Sequence, residues 1–197
     1  MDWLKRFKDV GALIENRHLV YTSGRHGSSY LNKDAVYVRP ALTSEMAKAI
    51  AERIVELKPD GIVAPAVGAI ILGHWVAFHL KGLSGKEVFS AYAEKTPEGG
   101  FTFKRGYGKL LANQRIVVVE DIVTTGGSLL KVLELIKSTS AHLVGAIALA
   151  NRGGITEKDL KIAPFLSLMQ INLPSWAANE CPLCAQGITI DKDLGKG

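Results

Sequence analysis

The sequence predicts an α/β protein: a doubly wound parallel sheet with a small N-terminal hood and a short tail. Three observations predict it. Apolar runs of strand length recur at residues 62–64, 88–93, 115–120 and 143–150. Stretches of helical apolar period stand between several of them, the alternation of a sheet covered on both faces. The 197 residues, 47% hydrophobic and 22% charged, are enough for one well-filled domain of ordinary composition.

In chain order, residues 1–15 alternate charge with Trp3, Leu4, Phe7, Val10, Leu13 and Ile14, which predicts an amphipathic helix. Residues 18–22 and 30–38 read as extended, separated by the turn at 23–28, and Arg39-Pro40 ends that unit. A helix over 45–57, capped by Thr43 or Ser44, carries Met46, Ala49, Ile50, Ile54 and Leu57 on its apolar face. Residues 61–80 carry no formal charge, which raises a membrane span. Pro65, Gly68, Gly73, His74 and His79 interrupt it, so a strand at 62–64, a turn and a buried helix at 70–80 explain it better. The strand at 88–93 leads into a short loop, Thr96 to Gly100, and a hairpin arm at 101–107. The strand at 115–120 precedes a helix at 128–137, and the strand at 143–150 precedes Asn151-Arg152-Gly153-Gly154. Residues 165–172 form a last strand. One domain is expected over 1–197: helix and hood at 1–40, α/β core at 41–175, tail at 176–197.

The most informative stretch is 117–128. Val117, Val118 and Val119 suit a buried parallel strand, Glu120 and Asp121 stand where it should end, and Thr124-Thr125-Gly126-Gly127-Ser128 follow. Behind them Leu129, Leu130, Val132, Leu133, Leu135 and Ile136 recur at helical spacing. Loop N–H groups and the positive end of a helix dipole hold phosphate, and glycines let backbone approach it closely. In a doubly wound sheet, ligands sit beyond the C-terminal strand ends. Residues 65–68, 94–100, 120–128 and 151–154 are therefore expected to converge. Neither a Walker-type loop nor a Gly-x-Gly-x-x-Gly occurs in the chain, which weakens NTPase and dinucleotide readings.

The net charge of +5 suits an anionic ligand. The basic residues are scattered, with no Lys/Arg run and no aromatic-basic stripe, which argues against nucleic acid. Without a signal segment or a membrane span, the cytoplasm is the expected location. Cys181 and Cys184 stand in Cys-Pro-Leu-Cys, but a zinc site would need two more ligands, and no second Cys pair or His-x-x-x-His exists. They read as two reduced cysteines, the alternatives being a zinc site completed through a symmetry mate and a redox pair, and no protein ligand to a metal is assigned.

The strand, the acidic pair and Thr124-Thr125-Gly126-Gly127-Ser128 resemble the phosphoribosyl-pyrophosphate (PRPP) signature of type I phosphoribosyltransferases. Other segments are similar to the orotate phosphoribosyltransferase family: Thr22-Ser23-Gly24-Arg25-His26 with Tyr30-Leu31-Asn32, Ala64-Pro65-Ala66, Phe103-Lys104-Arg105-Gly106-Tyr107, and the Cys-Pro-Leu-Cys tail with Gly187, which is similar to a short-chain branch. The resemblance implies transfer of phosphoribosyl from PRPP to orotate, giving orotidine 5′-monophosphate and diphosphate in pyrimidine biosynthesis. It implies that Glu120 and Asp121 face the ribose hydroxyls, that Ile122, Val123 and Thr124 to Ser128 hold the 5′-phosphate end, and that Lys95, with Lys104 or Arg105 nearby, meets the diphosphate. Arg152, Thr124, Tyr30 and Leu31 would hold orotate. It further implies Mg²⁺ as cofactor and a homodimer, with Glu120, Asp121 and Lys95 as catalytic candidates. The family's longer loop with a further Lys and His is missing at 96–100, and Glu94-Lys95 and Val67-Gly68 replace more cationic pairs. Transfer to another nucleobase, or a regulator that senses PRPP without turnover, are the alternatives.

Overall fold

The computed structural model describes residues 1–21 and 24–192. Thr22 and Ser23, part of the hood reading, lie outside the described residues. The chain divides into two compact units, residues 1–39 with 172–197, and residues 40–171. The tail, read from the sequence as a separate trailing segment, thus shares a unit with the N-terminal residues.

The first unit begins with α1 (Trp3–Asp9), capped by Asp2, whose side chain accepts from the Lys5 N–H at 2.9 Å. The helix is much shorter than the expected 1–15. Gly11 takes φ +71°, and the chain continues into β1 (Leu13–Ile14). Next come β2 (Leu19–Val20), β3 (His26–Gly27) and β4 (Tyr30–Leu31). β4 pairs antiparallel with β1, and β2 with β3. The extended reading of 30–38 holds for two residues only. Asn32 Oδ1 accepts from the Asp34 N–H at 3.2 Å, and α2 (Asp34–Tyr37) follows.

The second unit opens with α3 (Pro40–Ile54), five residues before the expected start. Pro40 begins this helix instead of ending the previous unit, because a proline at the first helical position has no N–H to leave unsatisfied. A 3₁₀ turn (Val55–Leu57) leads to β5 (Gly61–Pro65), buried throughout, and then α4 (Ile70–Ser84). The uncharged stretch at 61–80 is therefore a strand, a turn and most of a helix. Among the described residues no helix is long and apolar enough to cross a membrane. There follow β6 (Phe89–Lys95), β7 (Phe101–Thr102), α5 (Tyr107–Leu110), β8 (Arg115–Val123), α6 (Gly127–Lys137), β9 (His142–Asn151), α7 (Glu157–Leu160) and β10 (Phe165–Gln170). The chain then returns to the first unit with β11 (Ser175–Trp176), antiparallel to β3, and α8 (Pro182–Ala185).

The six-stranded sheet of the second unit has the order β10-β9-β8-β5-β6-β7, parallel except for β7. Alternate strand residues serve opposite faces. Val63, Ile116, Val118, Ala146 and Ala148 pack with Leu129, Val132, Leu133 and Ile136 of α6. On the other face α4 closes over Ile62 and Ala64 at Gly73, and α3 packs on α4. Each fully buried Val, Leu or Ile contributes on the order of 1.5–3 kcal/mol of transfer free energy. Both faces are covered, as the alternation of apolar segments predicts.

Candidate active site

The strand order reverses at β5, which has β6 on one side and β8 on the other. Such a switch point opens a crevice at the C-terminal strand ends. Here it opens early on one side: β5 pairs with β8 only up to Val63↔Val118, whereas β8 stays paired with β9 as far as Val123↔Asn151. The strand therefore does not end at Glu120. It runs three residues further with its β5-side edge released, and Glu120 and Asp121 lie within that released stretch. Glu120 is 6% and Asp121 9% exposed. Their carboxylates take up neighbouring backbone donors: Glu120 Oε1 accepts from the Asp121 N–H at 3.0 Å, and Asp121 Oδ1 from the Ile122 N–H at 2.6 Å. Two buried acidic groups are thus kept hydrogen-bonded at the crevice.

Beyond Val123 the chain wraps a cleft of about 200 Å³, lined by Glu120, Ile122, Val123, Thr124, Thr125, Gly126, Gly127, Ser128 and Leu129. Thr124, Thr125, Gly127 and Ser128 are exposed in it. Gly126, at φ +75°, is the residue before α6, whose first turn carries no acidic side chain. The opening N–H groups of an α-helix have no intrahelical partner, and with the helix dipole they favour an anion at this position. Every residue expected to hold the 5′-phosphate end thus lines one hollow. Asp121 is not in its lining, because the alternation along β8 turns its side chain away from that of Glu120.

The neighbouring turn supports this loop. The N–H groups of Arg152 and Gly153 both donate to the Val123 carbonyl, at 2.8 and 3.2 Å. A Cβ on Gly153 would lie 1.5 Å from the Thr124 carbonyl oxygen, so only glycine allows the two backbones to approach this closely. The buried Asn151 side chain closes the turn, donating to the Ile155 carbonyl at 2.7 Å and accepting from its N–H at 3.1 Å. A capping box, Thr156 with Asp159, then starts α7. The sequence marks 151–154 as a converging segment, but not the specific need for glycine at 153. Arg152 is half-buried at the root of this turn.

Lys95 ends β6 and is exposed, two strands from β8 and so about 10 Å across the sheet. The loop after it is a tight turn: the Thr96 N–H donates to the Gly100 carbonyl at 3.0 Å, and the Gly99 N–H to the Thr96 carbonyl at 3.0 Å. Lys131 of α6 donates to the Gly99 carbonyl at 2.6 Å. The arm cations are engaged with Glu94, Lys104 at 3.0 Å and Arg105 at 3.5 Å. The Lys104 hydrogen bond, with the charge of Arg105 behind it, holds the Glu94 carboxyl below its ordinary range. Tyr30 and Leu31 form β4 in the other unit, half-buried and buried respectively. A larger hollow of about 510 Å³ lies between the ends of β9 and β10 and α7, lined by Asn151, Ile155, Lys158, Phe165 and Gln170 among others. The N-terminus of α7 borders it, but Thr156 and Asp159 already cap that end and its first turn carries the carboxylates of Glu157 and Asp159, which repel an anion, so the smaller cleft is the one with phosphate-binding chemistry.

A released strand edge with carboxylates beside an anion-favouring loop defines a protein that takes a phosphorylated, hydroxyl-bearing ligand. Comparison with known proteins gives that class a name: the family model described as "Phosphoribosyl transferase domain" matches residues 32–183. Orotate phosphoribosyltransferase of Sulfurovum sp. (strain NBC37-1) is 36% identical over 204 residues, 97% of each chain. That of Caulobacter vibrioides is 37% identical over 192 residues, 96% of this chain and 93% of the relative. The fold is similar to the crystal structures of orotate phosphoribosyltransferase from Aeropyrum pernix (TM-score 0.66, 22% identity, 84% of this chain and 92% of that one) and of adenine phosphoribosyltransferase from Thermoanaerobacter pseudethanolicus (TM-score 0.64, 19% identity, 85% and 99%). The chain belongs to the orotate phosphoribosyltransferase family of the type I phosphoribosyltransferases.

Proposed function

We propose that the protein transfers phosphoribosyl from PRPP to orotate, releasing diphosphate and orotidine 5′-monophosphate. The observation that carries the reading is the Glu120–Ser128 cleft at the switch point, in a chain whose full-length relatives bear that activity in their names. The ring nitrogen of orotate attacks ribose C1 as the bond to diphosphate breaks, with inversion. Positive charge develops on the ribose and negative charge on the leaving group. The N–H groups of residues 124–128 hold the 5′-phosphate. Glu120, from the cleft lining, and Asp121, from the same released stretch, meet the ribose hydroxyls and steady the developing cation. Fixed groups of this kind each account for roughly 10²–10³-fold in rate.

Arg152 pairs with the planar carboxylate of orotate through its guanidinium fork. Thr124, Tyr30 and Leu31 complete the base contacts. Lys95 meets the diphosphate. Two carboxylates and three hydroxyls are hard oxygen donors short of a full cage, which fits a cation that keeps water and substrate phosphates as ligands. Mg²⁺, when bound there, neutralises and orients the diphosphate. A cytoplasmic homodimer is part of this reading, on the family's pattern.

Turnover with PRPP, Mg²⁺ and a panel of bases tests it. Orotidine monophosphate as the preferred product supports the proposal. A preference for a purine or uracil reassigns the base, and PRPP binding without turnover on any base makes the protein a sensor.

A further inference from the structure

The first unit holds a side-chain cluster that the transfer reaction does not use. His18 directly precedes β2, His26 lies on β3, and Cys181 and Cys184 flank and enter α8. The fold brings together residues more than 160 positions apart. One ligand atom from each lies within 4.8 Å of all the others. His18 Nε2 is 3.0 Å from His26 Nδ1 and 3.5 Å from both sulfurs, and Cys184 Sγ is 3.4 Å from His26 Nδ1. Three of the four residues are buried, and the cysteines are unpaired thiols.

We propose that His18, His26, Cys181 and Cys184 form a closed Cys₂His₂ site for a structural zinc ion that staples the two ends of the chain together.

The geometry is that of a tetrahedron around one ion. Zinc–nitrogen bonds of about 2.0–2.1 Å and zinc–sulfur bonds of about 2.3 Å give edges of roughly 3.3 Å between nitrogens and 3.5 Å between nitrogen and sulfur. The S–N separations match that edge, and the N–N separation is slightly short of it. A linear relay of hydrogen bonds would bring only successive atoms close, whereas here all four lie within 4.8 Å of one another. The orientation of His18 is also set. Its Nδ1 lies 2.6 Å from the Ile188 carbonyl, which can only accept, so Nδ1 carries the proton and Nε2 presents its lone pair to the cluster. A backbone carbonyl orienting the far nitrogen is the usual outer support of a zinc-bound histidine. Binding releases two thiol protons and leaves a neutral site: two thiolates, two neutral imidazoles and Zn²⁺. Two soft sulfurs with two imidazole nitrogens in a tetrahedron favour zinc over the hard cations.

The unit has reason to need a staple. Among the described residues its five strands are two residues each, and it is assembled from both chain ends. So small a scaffold gains most from a cross-link that closes a long loop. The sequence could not show this site, because Cys-Pro-Leu-Cys has no second pair at a familiar spacing. The fold supplies the two missing ligands from the hood.

The test is metal analysis of the full chain, purified without chelators or metal-affinity steps. Close to one zinc per chain is expected. Cobalt exchanged into the protein should show the intense visible bands of a tetrahedral thiolate site. Cys184→Ser, at the exposed ligand, should remove the zinc and the cobalt spectrum and lower the thermal midpoint, and so should His26→Ala. Zinc content and cobalt spectrum are read without turnover, so they stand or fall separately from the proposed reaction. Only trace zinc in the metal-replete wild type, stoichiometric iron in its place, a Cys181–Cys184 disulfide in the freshly purified chain, or full zinc in both variants would overturn the proposal.

Discussion

Replacing Gly153 with alanine tests how the candidate site is built. Its Cβ would stand 1.5 Å from the Thr124 carbonyl oxygen and 2.6 Å from the carbonyl carbon, whereas real Cβ contacts under 3.0 Å essentially never occur. Both contacts are with backbone, so no side-chain rotation relieves them, and the two loops must separate by about 1.5 Å. The Gly153 N–H to Val123 hydrogen bond, 3.2 Å long, is then lost. Its loss costs about 0.5–1.5 kcal/mol. Overpacking adds about 1–3 kcal/mol. In a chain of this size each kcal/mol lowers the thermal midpoint by about 2–4 °C. The kinetic effect is larger: a misplacement of about 1 Å at a positioning loop costs on the order of 10²-fold in turnover. Gly154→Ala is the control. That residue also has positive φ, +65°, but nothing lies within 4 Å of its added Cβ, so the variant carries only the left-handed strain of about 1–2 kcal/mol. Steady-state rates of orotidine monophosphate formation and calorimetric melting of both variants are the assays. Wild-type kcat/KM and midpoint in Gly153→Ala would refute the packing of residues 151–154 against the Thr124 loop.

Three further outcomes are expected. Glu120→Gln retains an oxygen to accept from the Asp121 N–H, so melting should change little while kcat/KM falls by roughly 10²–10³-fold; an unchanged rate removes Glu120 from the chemistry. Arg152→Lys loses the fork and should raise the KM for orotate by about tenfold, equivalent to about 1.4 kcal/mol, with PRPP binding preserved; equal weakening of both substrates would contradict a base-specific role. Lys104 hydrogen-bonds the ionised form of Glu94 and depresses its titration. The resulting stabilisation is present above the unfolded carboxyl value and disappears as pH falls through the lower folded value. Lys104→Met should move the Glu94 titration upward, as read by carboxyl-carbon NMR, and an unmoved curve would assign the depression to another group.

Much of the second unit was legible because local pattern and tertiary context agree there. The Val117–Val119 run, the apolar period behind Ser128 and the turn glycines each point to one parallel strand-loop-helix, and β8 and α6 form it. Misread boundaries occur where a long-range partner outweighs local preference. Two acidic residues favour ending a strand at Glu120, but pairing with Ala148 and Ala150 of β9 carries β8 on to Val123. Val36, Tyr37 and Val38 favour an extended chain, yet the Asn32 side chain and the following turn make Asp34–Tyr37 helical. The first unit was least legible. Its strands are too short to show a period, and its histidine–cysteine cluster joins the two ends of the chain.

Titration of the protein with PRPP by calorimetry, for the wild type and for Thr125→Asp, measures phosphate binding at the α6 N-terminus most directly. Thr125 is exposed and its Oγ1 accepts from the Gly127 N–H at 3.4 Å, a contact that aspartate can keep. The added charge beside a bound phosphate costs up to about 4 kcal/mol at 4 Å, and less with solvent screening. One PRPP per wild-type chain and an affinity at least about tenfold weaker in Thr125→Asp are expected, tenfold being about 1.4 kcal/mol. Equal affinities in the two proteins would contradict a phosphate site in the Thr124–Ser128 loop.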